Sequence, residues 1–541
     1  MIRRVLILCI LALMIAPTFA QESTVVTETG ALNNDTPTRD YPLTLAAGDV
    51  VIITAEATRG DLDTTLTLTD ANGQVVANND DRTPDILDSA IGYESPDGGS
   101  YTLTIARYDE AAGSSYGEFR LTITTGDRNL FALLDELTGI ELSGTRLTLD
   151  TEHFRIHYTL SGRDRVTDEY LQAVARAFEE FHRIEIGELG WAAPPLDGSM
   201  GGNDLYDVYI KDLIGRGEGA LGYTSPRMIV GDNPNTPEVE TNAAASLIAI
   251  DNDFDDTETD NRLGLMRATI AHEYHHAIQF GYDTSDAHGW FYEATAAWME
   301  TKAAGKEQDA TDYIEYAYQY PELCFGTDTD PQQGQLMYGE WTFMQMLEDD
   351  FGDSAVRDVW RNLAFQDGFA ALGEMLSAHG ETVVSTVARY RLKNLARDYE
   401  LAPLFNATVW RENMITDLGR WSYTGSGIQE LGANYFELQV PPGAYYIGLI
   451  NDGGALEVWG VGVTLSEGEE GAKLDAIPLG RGGAFDTTGY DYTYVMVFNP
   501  TYDENVSVCD YADYDVDVTP AKSARNLARY SFDARFFAPL G

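Results

Sequence analysis

Residues 268–280, ATIAHEYHHAIQF, place three of the chain's eight histidines within five positions around a single glutamate. In a helix, residues four apart share a face, one turn removed. His272 and His276 therefore point the same way and can reach one ion, whereas Glu273 is displaced around the helix and overhangs that ion instead of binding it. The pattern is H-E-x-x-H, in which two imidazoles hold zinc and the glutamate works on its water. Asn261 is placed to cap such a helix, and Leu263, Met266, Ile270 and Ile278 supply its apolar side. His275 lies three positions from His272 and could replace His276 geometrically, but Glu273 would then lose its place. His275 is therefore assigned to packing or hydrogen bonding around the site rather than to ligation.

A zinc that does chemistry takes three protein ligands and keeps one position open. The third ligand is sought in WFYEATAAWMETKAAG, residues 290–305, far enough downstream for one turn back to an antiparallel helix. Glu293, Ala297 and Glu300 are spaced four and three and share one face, and the alanines at 294, 296 and 297 let two helices approach closely. A solvated acidic stripe is the plain alternative. Against it, Trp290, Phe291 and Trp298 argue for burial, and a buried carboxylate needs a partner. Glu293 is the expected third ligand. Glu300, one heptad on, is better placed to orient the second nitrogen of a ligating histidine.

Together, HEYHH and WFYEATAAWME resemble the gluzincin metallopeptidases, nearest the aminopeptidase-type branch, whose third-ligand helix reads W-x-x-E-x-x-A-x-x-x-E. The resemblance spans about residues 260 to 352. It implies zinc held by His272, His276 and Glu293, Glu273 as general base, and Glu300 as the acid behind a ligand. It also implies a tyrosine that stabilises the oxyanion, matched here by Tyr338 in YGEWTFMQMLEDDFG, although Gly339 follows at once rather than three residues on. The G-x-M-E-N strand that grips a free substrate amine in aminopeptidases is absent, which points to an endopeptidase. The strand SLIAIDND, residues 246–253, is a candidate to present backbone groups to an extended peptide, with a core strand as its other reading.

Outward from this centre the chain becomes plainer, for all the histidines fall between His153 and His379. TDEYLQAVARAFEEFHRI, residues 167–184, repeats apolar residues at three and four and is expected to form an amphipathic helix. Four helical segments are expected to occupy most of 262 to 400, several closed by a glycine such as Gly281, Gly305 or Gly352. Tyr206, Tyr209 and Tyr223 are expected to pack. Residues 21–127 alternate in short β-like runs divided by turns, as do those after 401, and each flank reads as a β-sandwich. LDTTLTLTDANGQVVANNDD followed by PDGGSYTLTIARY resembles the bacterial pre-peptidase C-terminal β domain. The expected architecture is multidomain: a signal peptide over 1–20, an N-terminal β-sandwich or jelly roll over 21–127, a central α+β zinc-metallopeptidase domain over 128–400, and a C-terminal β-sandwich over 401–541.

The start MIRRVLILCILALMIAPTFA has a positive beginning, a short apolar run and a small-residue cleavage site at Thr18-Phe19-Ala20, so secretion to the exterior or the cell envelope is expected. No other run approaches the eighteen apolar residues of a membrane span. With 35 Lys and Arg against 87 Asp and Glu, the formal charge is −52, which repels nucleic acid and anionic lipid and excludes them as partners. The acid has two readings, loop calcium sites and adaptation to a salty medium. DNDFDDTETD (251–260) and NNDDRTPDILD (78–88) have oxygen ligands suited to Ca2+ but lack EF-hand spacing, and solvated loops are the preferred reading. Cys324 and Cys509 could bridge in an oxidising compartment or remain buried thiols. The expected partner is a protein or peptide substrate, with the flanking β modules binding polymer or surface. The competing functional reading is a surface- or polymer-binding protein whose zinc site is inactive.

Overall fold

The computed structural model describes residues 23–540 except 81, 83–85, 109–110, 112, 139, 198–199, 217–219, 256, 258, 285–287, 328–334, 423–426, 451, 454, 467–470 and 504–508. The expected signal segment, 1–20, lies outside the described residues. The chain divides into two compact units that meet at residues 139 and 140.

Among its described residues the first unit holds eight strands and one short α-helix: β1 (Thr24–Leu32), β2 (Thr38–Leu45), β3 (Val50–Gly60), β4 (Thr64–Thr69), β5 (Val75–Asn79), β6 (Ser89–Glu94), β7 (Gly99–Arg107), β8 (Gly117–Gly126) and α1 (Phe131–Thr138). They form two four-stranded antiparallel sheets, ordered β1-β8-β3-β6 and β2-β7-β4-β5. Strict alternation puts every second residue of β4 inside, as a strand with one wet face requires. Val51, Ile53 and Leu121 of one sheet and Leu66, Leu68, Leu103 and Ile105 of the other close a single core. The unit is a β-sandwich.

The second unit begins with β9 (Leu147–Asp150), β10 (Phe154–Tyr158), α2 (Asp168–His182), β11 (Tyr206–Lys211), β12 (Gly222–Gly231) and β13 (Ala243–Asp251). The five strands order as β12-β13-β11-β10-β9, with β10, β11 and β13 parallel and an antiparallel strand at each edge. All nine residues of β13 are buried, the continuous apolar run expected of a strand covered on both faces. SLIAIDND is thus an inner strand, paired with β11 and β12, and its backbone is not open to a peptide. The open edge on that side belongs to β12 instead.

Among the described residues eight α-helices follow, not four: α3 (Arg262–Gln279), α4 (Gly289–Ala303), α5 (Ala310–Gln319), α6 (Gln335–Gly339), α7 (Trp341–Phe351), α8 (Ala355–Leu363), α9 (Gly368–Ala378) and α10 (Val383–Ala396). Several are only 5 to 11 residues long, too short for hydrophobic periodicity to divide them. Gly352 closes α7 at φ 98° and Gly305 follows α4 at φ 60°, whereas α3 ends on Phe280 in ordinary helical geometry. Helix α3 packs on α4 and against β12 and β13, so every residue from Ala268 to Gln279 is buried. Leu263, expected on its apolar side, instead lies in the first turn and is 54% exposed.

Ten strands follow among the described residues: β14 (Asn413–Ile415), β15 (Gly419–Ser422), β16 (Ala433–Leu438), β17 (Ala444–Ile450), β18 (Glu457–Leu465), β19 (Ala472–Pro478), β20 (Gly482–Asp486), β21 (Tyr492–Phe498), β22 (Asp515–Pro520) and β23 (Tyr530–Ala534). They form a six-stranded sheet, β14-β16-β21-β18-β19-β23, and a four-stranded sheet, β15-β22-β17-β20. Phe436, Val458 and Val495 meet Ile447, Val516 and Val518 in a core between the two sheets. The other face of the larger sheet, through Tyr435, Trp459, Val461 and Met496, joins the core of the helices. Cys324 and Cys509 form a disulfide between the loop after α5 and this β region.

Candidate active site

Helices α3 and α4 bring the candidate ligands together. Asn261 caps α3 by accepting from the Gly264 N–H at 3.1 Å, and Ala294, Ala296 and Ala297 on α4 are completely buried. Glu293 Oε2 lies 3.2 Å from His272 Nε2 and 3.6 Å from His276 Nε2. One ligand atom from each of the three falls within 4.8 Å of the others.

Hydrogen bonds behind the rings decide which nitrogen faces forward. His276 Nδ1 lies 2.7 Å from Gln279 Oε1, and the Gln279 amide donates to the Tyr292 carbonyl at 3.0 Å, so Oε1 accepts and Nδ1 carries the proton. His272 Nδ1 lies 2.8 Å from Glu300 Oε1, which likewise accepts the ring proton. Both Nε2 atoms then present lone pairs to the Glu293 carboxylate. Three acceptors converge, an arrangement that repels unless a cation lies among them. In their protonated form the same rings would instead donate to Glu293 and, against the burial that opposes its ionisation, hold its carboxyl below the usual carboxylate range. The donor set, two neutral imidazoles and one carboxylate with their outer partners in place, fits a divalent metal of the zinc type. Burial pushes both Glu300 and the neighbouring Asp309 upward, and the Glu300 carboxylate further opposes ionisation of Asp309.

Glu273 stands outside the trio. The Thr224 hydroxyl on β12 lies 2.8 Å from Glu273 Oε2 and 2.7 Å from the Glu273 carbonyl, so it donates to one or the other. Tyr338 on α6 stacks its ring on His272 at 5.6 Å and 17°. Burial and the adjacent Glu293 push its phenol above its ordinary value, so the hydroxyl keeps its proton and can donate. These groups line an open cleft of about 440 Å³ with Gly222, Tyr223, Phe280, Thr284 and Tyr292. Tyr223 packs against a small core around Leu213 and also lines this cleft. Tyr209 is buried against His157, and Tyr206 bonds Ser246 at 2.7 Å.

His275 points away from the trio. Its Nδ1 lies 2.9 Å from Glu185 Oε2, and both side chains are wholly buried. A π-helical turn, Arg183–Glu188, carries this glutamate at the end of α2. A second group of ligand atoms, Glu152, His153 and Glu179, also lies within 4.8 Å. There, however, Glu179 accepts from the His153 backbone at 2.9 Å and pairs with its ring at 2.7 Å. Among the described residues, the two acidic runs proposed for calcium bring no such group together. The Asp251 carboxylate instead accepts the backbone N–H groups of Leu213, Ile214, Asp253 and Phe254.

Three participants were not anticipated from the sequence: Gln279, Thr224 and Asp309. Gln279 was the most accessible of them, because a polar residue three positions after His276 shares its helix face. Replacing it by leucine removes the acceptor that orients His276. Gln279→Leu is expected to weaken metal affinity by about 10- to 100-fold, measured by competition with a chromogenic chelator. An unchanged affinity would show that the ring is oriented by other means.

Residues 37–107 match the bacterial pre-peptidase C-terminal domain, so the first unit contains that domain. Residues 260–449 match a family of unknown function, DUF6055. No curated protein matches the chain. Among solved structures, the chain is similar to the M60 catalytic domain with the CBM51-1 and CBM51-2 domains of Clostridium perfringens ZmpB, at 11% identity, over 90% of this chain and 53% of that one, with a TM-score of 0.25. It is also similar to a metallopeptidase in complex with Tn antigen, at 9% identity over 82% and 92%, TM-score 0.28. A conserved protein of unknown function from Bacillus anthracis str. Ames gives 9% identity over 86% and 98%, TM-score 0.26. Likenesses this weak say nothing of activity.

Proposed function

We propose that the chain is a secreted zinc endopeptidase of the gluzincin type. The observation that carries this reading is the convergence of His272 Nε2, His276 Nε2 and Glu293 Oε2 beside a carboxylate, Glu273, that lies outside the ligand group and within reach of the Thr224 hydroxyl. His272, His276 and Glu293 would hold zinc, which when bound supplies Lewis acidity and lowers the pKa of a water from about 15.7 to roughly 7. Glu273 takes a proton from the attacking water and returns it to the leaving nitrogen. Thr224 holds one oxygen of that carboxylate and so aims the other. Glu300 and Gln279 keep the two rings in the required tautomer. The Tyr338 hydroxyl donates to the oxyanion as the carbonyl becomes tetrahedral.

A base beside an open cleft has no use in a structural metal site. Strand β12 supplies Gly222, Tyr223 and Thr224 to the cleft and is, among the described residues, the edge strand of its sheet, a position suited to an extended peptide by strand addition. Pro226, which has no N–H to donate, lies two residues beyond Thr224, next to a register shift in the pairing of β12 with β13. Export is supported by the form of the first twenty residues and by the Cys324–Cys509 bridge. Among the described residues, no helix is long and apolar enough to cross a membrane.

The test is metal analysis of the purified chain together with a peptide-library digest, with and without a chelator. One zinc per chain and chelator-sensitive internal cleavage are expected; cleavage that survives metal removal would end the proposal. Tyr338→Phe is expected to lower kcat by about 10²- to 10³-fold with KM nearly unchanged, the usual loss of one oxyanion donor. Steady-state kinetics on an internally quenched peptide would show it, and an equal fall in substrate affinity would place Tyr338 in ground-state binding instead.

A further inference from the structure

We infer that the outer face of the four-stranded C-terminal sheet, centred on Tyr446, is a binding platform for a neutral polysaccharide. Tyr446 lies on β17, and its side chain is on the face turned away from the core formed by Tyr445, Ile447 and Leu449. Its ring does not stand up from the sheet. A Cβ added to Gly448, two residues on, would fall 2.8 Å from Tyr446 Cε1. A Cβ added to Gly482, on the neighbouring strand β20, would fall 2.5 Å from the Tyr446 hydroxyl. The ring therefore reclines across two cross-strand partners, Gly448 and Gly482, in a bed that exists only because both lack side chains. Tyr446 is nonetheless 46% exposed. One face of the ring rests on glycine backbone and the other is open.

The ring's neighbours are mixed: Ala484 on β20 is directly opposite it and the exposed Ile450 shares its face of β17, while the polar groups lie on β22. On β22, Thr519 is directly opposite Tyr446 and Asp517 directly opposite Gly448. Both are partly exposed. An aromatic face is electron-rich and packs well on weakly positive C–H groups. The flat face of a pyranose offers such groups, while its equatorial hydroxyls radiate toward the rim, where a hydroxyl and a carboxylate stand ready to pair with them. A nucleobase would also stack on an open ring, but a chain of formal charge −52 repels a polyphosphate. The same repulsion disfavours acidic glycans, which leaves neutral ones.

The experiment is a depletion assay with the full chain and three insoluble neutral polysaccharides: chitin, amorphous cellulose and xylan. At least one is expected to retain the wild-type chain. Tyr446→Ala should bind that polysaccharide about two- to tenfold more weakly, the usual loss for one stacked ring, whereas Tyr446→Trp should retain it. Asp517→Ala, which leaves the ring in place, should give a smaller loss. Unchanged metal content in each variant shows that the chain is folded and separates this result from the reading of the metal site. No retention by any of the three, or equal retention of the wild type and Tyr446→Ala, would overturn the inference.

Discussion

Glu273→Gln is expected to retain its zinc and lose about 10²- to 10⁴-fold in kcat, the range for removal of a positioned general base. The substitution suits the question because it changes chemistry and little else. Glutamine has the same shape, and its amide oxygen can still accept from Thr224, so the contact that seats residue 273 survives. The three ligand atoms do not include Glu273, so metal content should not change. What disappears is an atom able to take a proton near neutral pH. The measurement is kcat on an internally quenched peptide, with zinc determined on the same sample. Parent-rate cleavage by a zinc-loaded variant would remove Glu273 from the mechanism and with it the peptidase assignment. Zinc lost along with activity would mean that Glu273 belongs to the ligand set.

Glu293→Ala should behave differently. Two imidazoles alone leave the metal short of the three protein ligands a catalytic zinc takes. Loss of an outer partner such as Gln279 weakens binding by about 10- to 100-fold, and loss of a ligand should exceed that. The variant is expected to purify without stoichiometric zinc and to show only background hydrolysis. A readout independent of activity comes from thermal unfolding. Metal at 100 times its dissociation constant stabilises a folded chain by about 2.7 kcal/mol, so added zinc should raise the Tm of the parent and leave that of Glu293→Ala almost unmoved. Any residual affinity should fall further as the pH is lowered, since both rings must be neutral to ligate. A variant that still binds one zinc with parent affinity would show that another group completes the set.

How much of this was legible in the chain depends on distance along it. His272, Glu273 and His276 occupy one helical turn, and helix geometry alone brings the two histidines to one face. Glu293 and Glu300 were found because a short connection and a run of alanines imply an antiparallel neighbour. Gln279 was within reach of the same reasoning and was passed over because a neutral amide carries no charge signal. Thr224 was out of reach: it is 49 residues from Glu273, and nothing around it distinguishes it from the many threonines of other strands. The role given to SLIAIDND was misplaced for a related reason, since an apolar strand shows that it is buried but not which neighbours bury it. The short helices between 305 and 400 ran together because none spans enough turns to establish its own periodicity.

The amino-acid order by itself determined the repeating elements and the chemical equipment of one helix, because hydrophobic period, capping and ligand spacing act over a few residues. Only the tertiary structure decided that β12 and not β13 forms the open edge, that Thr224 reaches Glu273, that Cys324 meets Cys509, and that Tyr446 reclines on Gly448 and Gly482. Each of these depends on sheet order and strand register. Those are set by how the whole unit buries its apolar surface, and no local stretch of the chain contains that information.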